Sequence, residues 1–168
     1  MNLTKKDRII LSNQLKILEK LYPDEAEYYA NHRKAIEYGF RLHYSWIAEH
    51  IDDDEMSEEE CKEVLDILDM YRAITYSYKK IRSETNIDEN EIRFRGFDGN
   101  NETKQFSYTN YFINDLGRFK ELKFGSEYPD FNSHCPMIEK YRRMLTIWNS
   151  YTDKFNLSEE QIKELLKA

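Results

Sequence analysis

Residues 57–81 read SEEECKEVLDILDMYRAITYSYKKI, and this stretch decides the fold class. Cys61, Val64, Leu65, Leu68, Tyr71, Ile74, Tyr78 and Ile81 recur at three- and four-residue steps, the spacing that puts side chains on one helical face. Ser57 followed by Glu60 gives a capping box, and the acidic first turn suits the positive end of the helix dipole. The pattern predicts a long amphipathic helix running to about Glu84 and breaking at Thr85-Asn86.

Working toward the N-terminus, Thr4 with Asp7 opens a first helix with Leu11, Leu15, Leu18 and Tyr22 on one stripe, flanked by Ile10 and Ile17. Pro23 closes it. A second helix is expected from about Asp24 to His50, burying Tyr29, Ile36, Phe40, Trp46, Ile47 and Ile51, with Gly39 at its middle. Working toward the C-terminus, Ile92 to Glu102 has neither helical nor strand period, and Asp98-Gly99-Asn100 reads as a turn. Asn100 or Asn101 then caps a helix carrying Phe106, Tyr108, Tyr111, Phe112 and Ile113 to near Gly117. Residues 118–133 are irregular and aromatic, with Gly125 and Pro129. A helix with Met137, Ile138, Tyr141, Met144, Leu145 and Trp148 follows Pro136, and Ser158 with Gln161 starts a short last one. The expectation is an all-α fold: one compact domain over 1–168 with five to seven helices, at most a minor strand-like segment near 92–97, and a subdomain bend near 85–91.

Composition narrows the function classes. Hydrophobic residues make up 40%, aromatics 14% with 13 Tyr and 9 Phe, and there are only 5 Gly and 3 Pro, which suits long helices around a true core. A formal charge of −7 argues against direct nucleic-acid binding. Cys61 and Cys135 are too few for a disulfide framework, no signal peptide is evident, and no apolar run approaches a membrane span. A cytoplasmic protein without membrane contact is expected.

Ordered agreement along the chain adds a family expectation. The matching residues are Arg8 with Leu11-Ser12-Asn13-Gln14, Pro23, Ile36-Glu37 with Gly39, Cys61, and Asp66-Ile67 with Met70-Tyr71 and Ala73. The second half adds Phe94 with Gly96-Phe97-Asp98, Glu102, Gly117-Arg118, Phe131-Asn132, Pro136-Met137, Glu139-Lys140-Tyr141, Met144-Leu145 and Trp148. Through these the chain resembles the YfbU family of small bacterial and archaeal proteins, which implies a predominantly helical fold. Relatives that join this region to a helix-turn-helix segment point toward ligand sensing. Here the resemblance starts with the first residues, and a role other than direct transcription factor is expected.

No motif supplies a reagent. Asp52, Asp54, Glu60 and Glu63 fall at calcium-loop positions, but Ser57 stands where the loop needs glycine and Met56 offers no side-chain oxygen. The run reads as a solvated interhelix loop. Of His32, His43, His50 and His134, none has a partner at metal-ligand spacing. His134-Cys135 reads as a partly buried histidine beside a buried thiol rather than as a metal or nucleophile site. Tyr71 to Lys80 with Arg82, and Lys140-Tyr141-Arg142-Arg143, mix rings and cations but read as core and solvated faces. That leaves Arg95, Asp98, Glu102, Arg118 and Asn132. If the loops around 94–102 and 132 converge, these would form a polar small-molecule site with apolar walls. In the competing structural interpretation Asp98 caps a turn, Glu102 sits in a first helical turn and Arg118 bridges helix ends. No catalytic residue, metal or cofactor is assigned. The expected function is a non-enzymatic binding module that self-associates as a homo-oligomer, with a small-molecule ligand as a candidate partner. An enzyme using carboxylates near 94–102 and a nucleic-acid-linked regulator are the alternatives.

Overall fold

The computed structural model describes residues 1–49, 51, 54–126 and 129–168. It is all-α: α1 (Lys5–Leu21), α2 (Ala26–Tyr38), α3 (Glu58–Ile81), α4 (Thr103–Asn110), α5 (Ile138–Ser150) and α6 (Glu159–Leu166), with short 3₁₀ turns and a π-helical turn at Tyr111–Asp115. Among the described residues the only strand-like pairing is a parallel bridge between Phe97 and Asn132. No helix among them is long and apolar enough to cross a membrane. The chain forms two compact units, Met1–Glu55 and Met56–Ala168. The division falls in the acidic connection, and the bend expected at 85–91 lies inside the second unit.

In the first unit Thr4 and Asp7 form the expected capping box on α1. Leu15, Ile36 and Tyr44 are its buried core, with Leu11, Leu18, Tyr29 and Ile47 packed around them. The second helix is shorter than the sequence suggests. After a 3₁₀ turn at Pro23–Glu25, α2 stops at Tyr38, and Gly39 adopts the left-handed conformation, φ 77°. Gly39 N–H donates to Ile36 O and Phe40 N–H to Ala35 O, a Schellman ending. Arg8 completes it from α1, donating through Nε to Ile36 O and through Nη2 to Glu37 O, both at 2.8 Å. Gly39 is therefore a helix stop. The backbone beyond it turns in 3₁₀ steps at Arg41–His43 and Ser45–Ala48, so Phe40, Trp46 and Ile51 are exposed where a continuous helix would have buried them. The expected end at His50 lies outside the described residues.

The two interpretations of Gly39 predict opposite signs. A mid-helix glycine gains roughly 1 kcal/mol on replacement by alanine. At φ 77°, with Arg8 Nη2 3.3 Å from an added Cβ, Gly39→Ala should instead destabilise by about 1 kcal/mol or more. Faster hydrogen exchange of the last α2 amides is the expected result.

The second unit is built around α3. The Ser57–Glu60 capping box is formed, and the helix ends at Ile81, about a turn before Glu84. Its buried residues run from Val64 to Tyr78, and α4, α5, α6 and the 3₁₀ turn Lys120–Lys123 pack on it. Arg72 stacks over the Phe119 ring, 3.8 Å from its centroid, and pairs with Glu121, fastening that turn. The residue preceding α4 is Glu102 rather than Asn100 or Asn101, and its side chain does not cap α4. The helix continues through the π turn to Gly117, φ 63°. Ser158 and Gln161 cap α6 as expected.

Candidate functional site

The segment leading into the 98–102 turn alternates. Ile92 and Phe94 point inward and are buried, while Arg93 and Arg95 lie exposed on the other side. At Gly96, φ 85°, the chain meets the second irregular loop so closely that a Cβ would stand 1.6 Å from Phe131 O. Phe97 N–H donates to Phe131 O at 3.0 Å and Ser133 N–H to Phe97 O at 3.1 Å. The loops converge, as the site hypothesis required.

What they enclose is aromatic. Tyr71, Phe94, Phe97, Phe131 and Tyr141 form a knot of ring pairs with centroids 5.1–5.8 Å apart. The Tyr141 hydroxyl donates to Gly96 O at 2.9 Å. Burial first, and then the neighbouring hydroxyl of Tyr71, push the Tyr141 hydroxyl well above its ordinary pKa. Phe131 holds a positive φ of 50°, a conformation bulky residues adopt only where surroundings enforce it.

Three of the five predicted residues meet at the rim of this knot. Asp98 is only 3% exposed, and its Oδ1 accepts from Asn100 N–H at 3.0 Å. The Asn101 side-chain amide, then the Asn100 N–H, hold its carboxyl below the usual range. Asn132 Oδ1 accepts from Gly99 N–H at 3.2 Å and His134 N–H at 3.0 Å, tying the loops together. Glu102, 6% exposed, reaches furthest. Its Oε2 accepts from Asp98 N–H at 2.9 Å, and its Oε1 accepts from both Met137 and Ile138 N–H at 2.7 Å. The residue preceding α5, Met137, offers no side-chain cap. A carboxylate 35 residues away supplies it. Both carboxylates accept from N–H donors inside the protein, the role the structural interpretation gave Asp98.

Arg118 is exposed and takes no part in these bonds; its backbone N–H donates to Phe112 O at 3.2 Å, closing the π turn. Arg95 instead lines a cavity of about 390 Å³ on the outer side of the segment, with Tyr71, Glu91, Arg93, Met137, Lys140 and Leu166.

A family model described as the YfbU domain matches residues 1–168. The chain belongs to the YfbU family.

In this YfbU domain Arg95 alone of the five predicted residues lines the cavity; Tyr71, Glu91, Arg93, Cys135, Met137, Lys140 and Leu166 were not foreseen as site residues. The usable signal was the Ile92–Arg95 alternation, a period of two in a helical chain, which turns its arginines away from the core. The His134–Cys135 pair differs from expectation: both residues are exposed, because a left-handed His134, φ 54°, holds this corner outward. Among the described residues no group of three or more His, Cys, Asp or Glu could hold a metal ion. The calcium-loop residue Asp52 lies outside the described residues. Tyr71 and Tyr78 are core residues, and Arg142 is engaged by Glu63 and Glu139.

The first unit of the YfbU domain has a different character. Of the sixteen exposed large hydrophobic residues among those described, twelve belong to it. α1 carries two apolar stripes: Leu11, Leu15 and Leu18 pack in the unit's own core, while Ile10, Ile17 and Leu21 stay exposed.

Proposed function

We propose that this YfbU-family protein is a non-enzymatic, cytoplasmic binding module that self-associates through its first unit. The observation that carries this is the disproportion just described: twelve exposed large hydrophobics around a buried core of Leu15, Ile36 and Tyr44. Exposed apolar surface concentrated in one unit marks interaction sites. The occupant is a second copy of the chain. Ile10, Gln14, Ile17 and Leu21 follow four–three–four spacing along α1, the repeat by which a helix packs against its own duplicate, with one polar residue setting register. The surplus of rings contributes as well, since Tyr22, Tyr28, Tyr38, Phe40 and Trp46 are all exposed here. An enzyme using the 94–102 carboxylates is less well supported, because Asp98 and Glu102 already serve N–H groups.

Light scattering after size exclusion tests the proposal. The 20.4 kDa chain should elute as a dimer or larger. Each buried Ile or Leu contributes roughly 1.5–3 kcal/mol. The double variant Ile17→Glu/Leu21→Glu should therefore weaken association by several orders of magnitude and run as a folded monomer. A wild-type chain that stays monomeric at every concentration reached would overturn the proposal.

A further inference from the structure

The geometry points to the cavity beside Arg95 as a binding site for a free α-amino acid with an apolar side chain. Its charged residues sort by commitment. Arg93 is bonded to Glu89 at 3.1 Å and stacks over the Phe124 ring at 4.8 Å, and Lys140 Nζ donates to Leu166 O at 3.3 Å. Arg95 and Glu91 line the same cavity, and among the described residues neither side chain has a hydrogen-bond or ion-pair partner. One available guanidinium and one available carboxylate, with a Lys140 ammonium that no carboxylate offsets, match a ligand carrying both signs of charge.

Arg95 presents a planar fork of donors suited to a carboxylate, and Lys140 retains two N–H groups to support it. Glu91 accepts from the ammonium. Met137, Leu166 and Tyr71 form the apolar part of the wall for the side chain. Arg95 and Tyr71 line the same cavity, which sets the donor fork and this wall around one space. About 390 Å³ lies at the small end of ligand-cavity sizes, appropriate to an amino acid.

The experiment is calorimetric titration of the full chain with L-leucine, L-methionine and L-phenylalanine. Leucine is then compared with 4-methylpentanoate, which lacks the ammonium, and isopentylamine, which lacks the carboxylate. Saturable binding of at least one amino acid is expected. Both one-charge analogues should bind about tenfold more weakly or worse, and Arg95→Gln and Glu91→Gln should each lose at least about tenfold while melting like wild type. Binding of none of the three amino acids would overturn the assignment, as would affinity unchanged in Arg95→Gln. Inorganic phosphate or 4-methylpentanoate binding as tightly as leucine would overturn it too, leaving a plain anion site. The site lies in the second unit and the proposed self-association in the first, so Ile17→Glu/Leu21→Glu should leave this titration unchanged and the two ideas fail separately.

Discussion

Gly96→Ala is expected to lower the stability of the second unit by about 4 kcal/mol, a drop of roughly 10 °C or more in its melting transition. Two effects add. The backbone at φ 85° disfavours any Cβ, and the Cβ would overlap the Phe131 carbonyl, at 1.6 Å from its oxygen and 2.2 Å from its carbon. Neither atom belongs to a flexible side chain able to step aside. Relief requires the two loops to separate, which breaks the Phe97–Phe131 and Ser133–Phe97 bonds and loosens the ring knot. Gly99→Ala is the matched control. There the nearest obstacle is the Asn132 side-chain amide at 3.0 Å, and the loss should stay under about 1 kcal/mol. Equal losses at both glycines, measured by denaturant unfolding, would contradict the cost assigned to the close approach at Gly96.

Glu102→Ala is expected to cost about 3–5 kcal/mol, because it leaves three N–H donors without their acceptor at once. Glu102→Gln keeps the shape and an oxygen able to serve Met137 and Ile138, but loses the negative charge at the start of α5 and turns an NH₂ toward a backbone N–H. About half the loss is expected. Hydrogen exchange distinguishes a remote cap from general damage: protection at Met137 and Ile138 should collapse first. Equal protection in wild type and Glu102→Ala would remove the capping role.

Much of this architecture was legible because its instructions are local. The Thr4–Asp7, Ser57–Glu60 and Ser158–Gln161 boxes each lie within four residues, and the α3 stripe repeats often enough to be unambiguous. Gly39 was misread because apolar residues continue past it, and Arg8, which helps finish the helix, lies in another element. The polar set was half legible. The turn chemistry of Asp98 follows from its neighbours, but nothing near Glu102 shows that its carboxylate serves a helix 35 residues later. Arg118 looked equivalent to Arg95 as a charge beside aromatics. Only the fold distinguishes the arginine at a cavity from the one closing a helical turn.

The reach of Glu102 across to Met137 and Ile138 also gives assembly of the second unit a direction in time. During synthesis the 98–102 turn is made before residues 137 and 138, so its carboxylate precedes the amides that it will accept from. The first amides of α5 gain their acceptor only when that helix docks. Closing this 35-residue span costs loop entropy that the local capping boxes do not, and a nascent chain stopped short of residue 137 carries the turn but not its purpose.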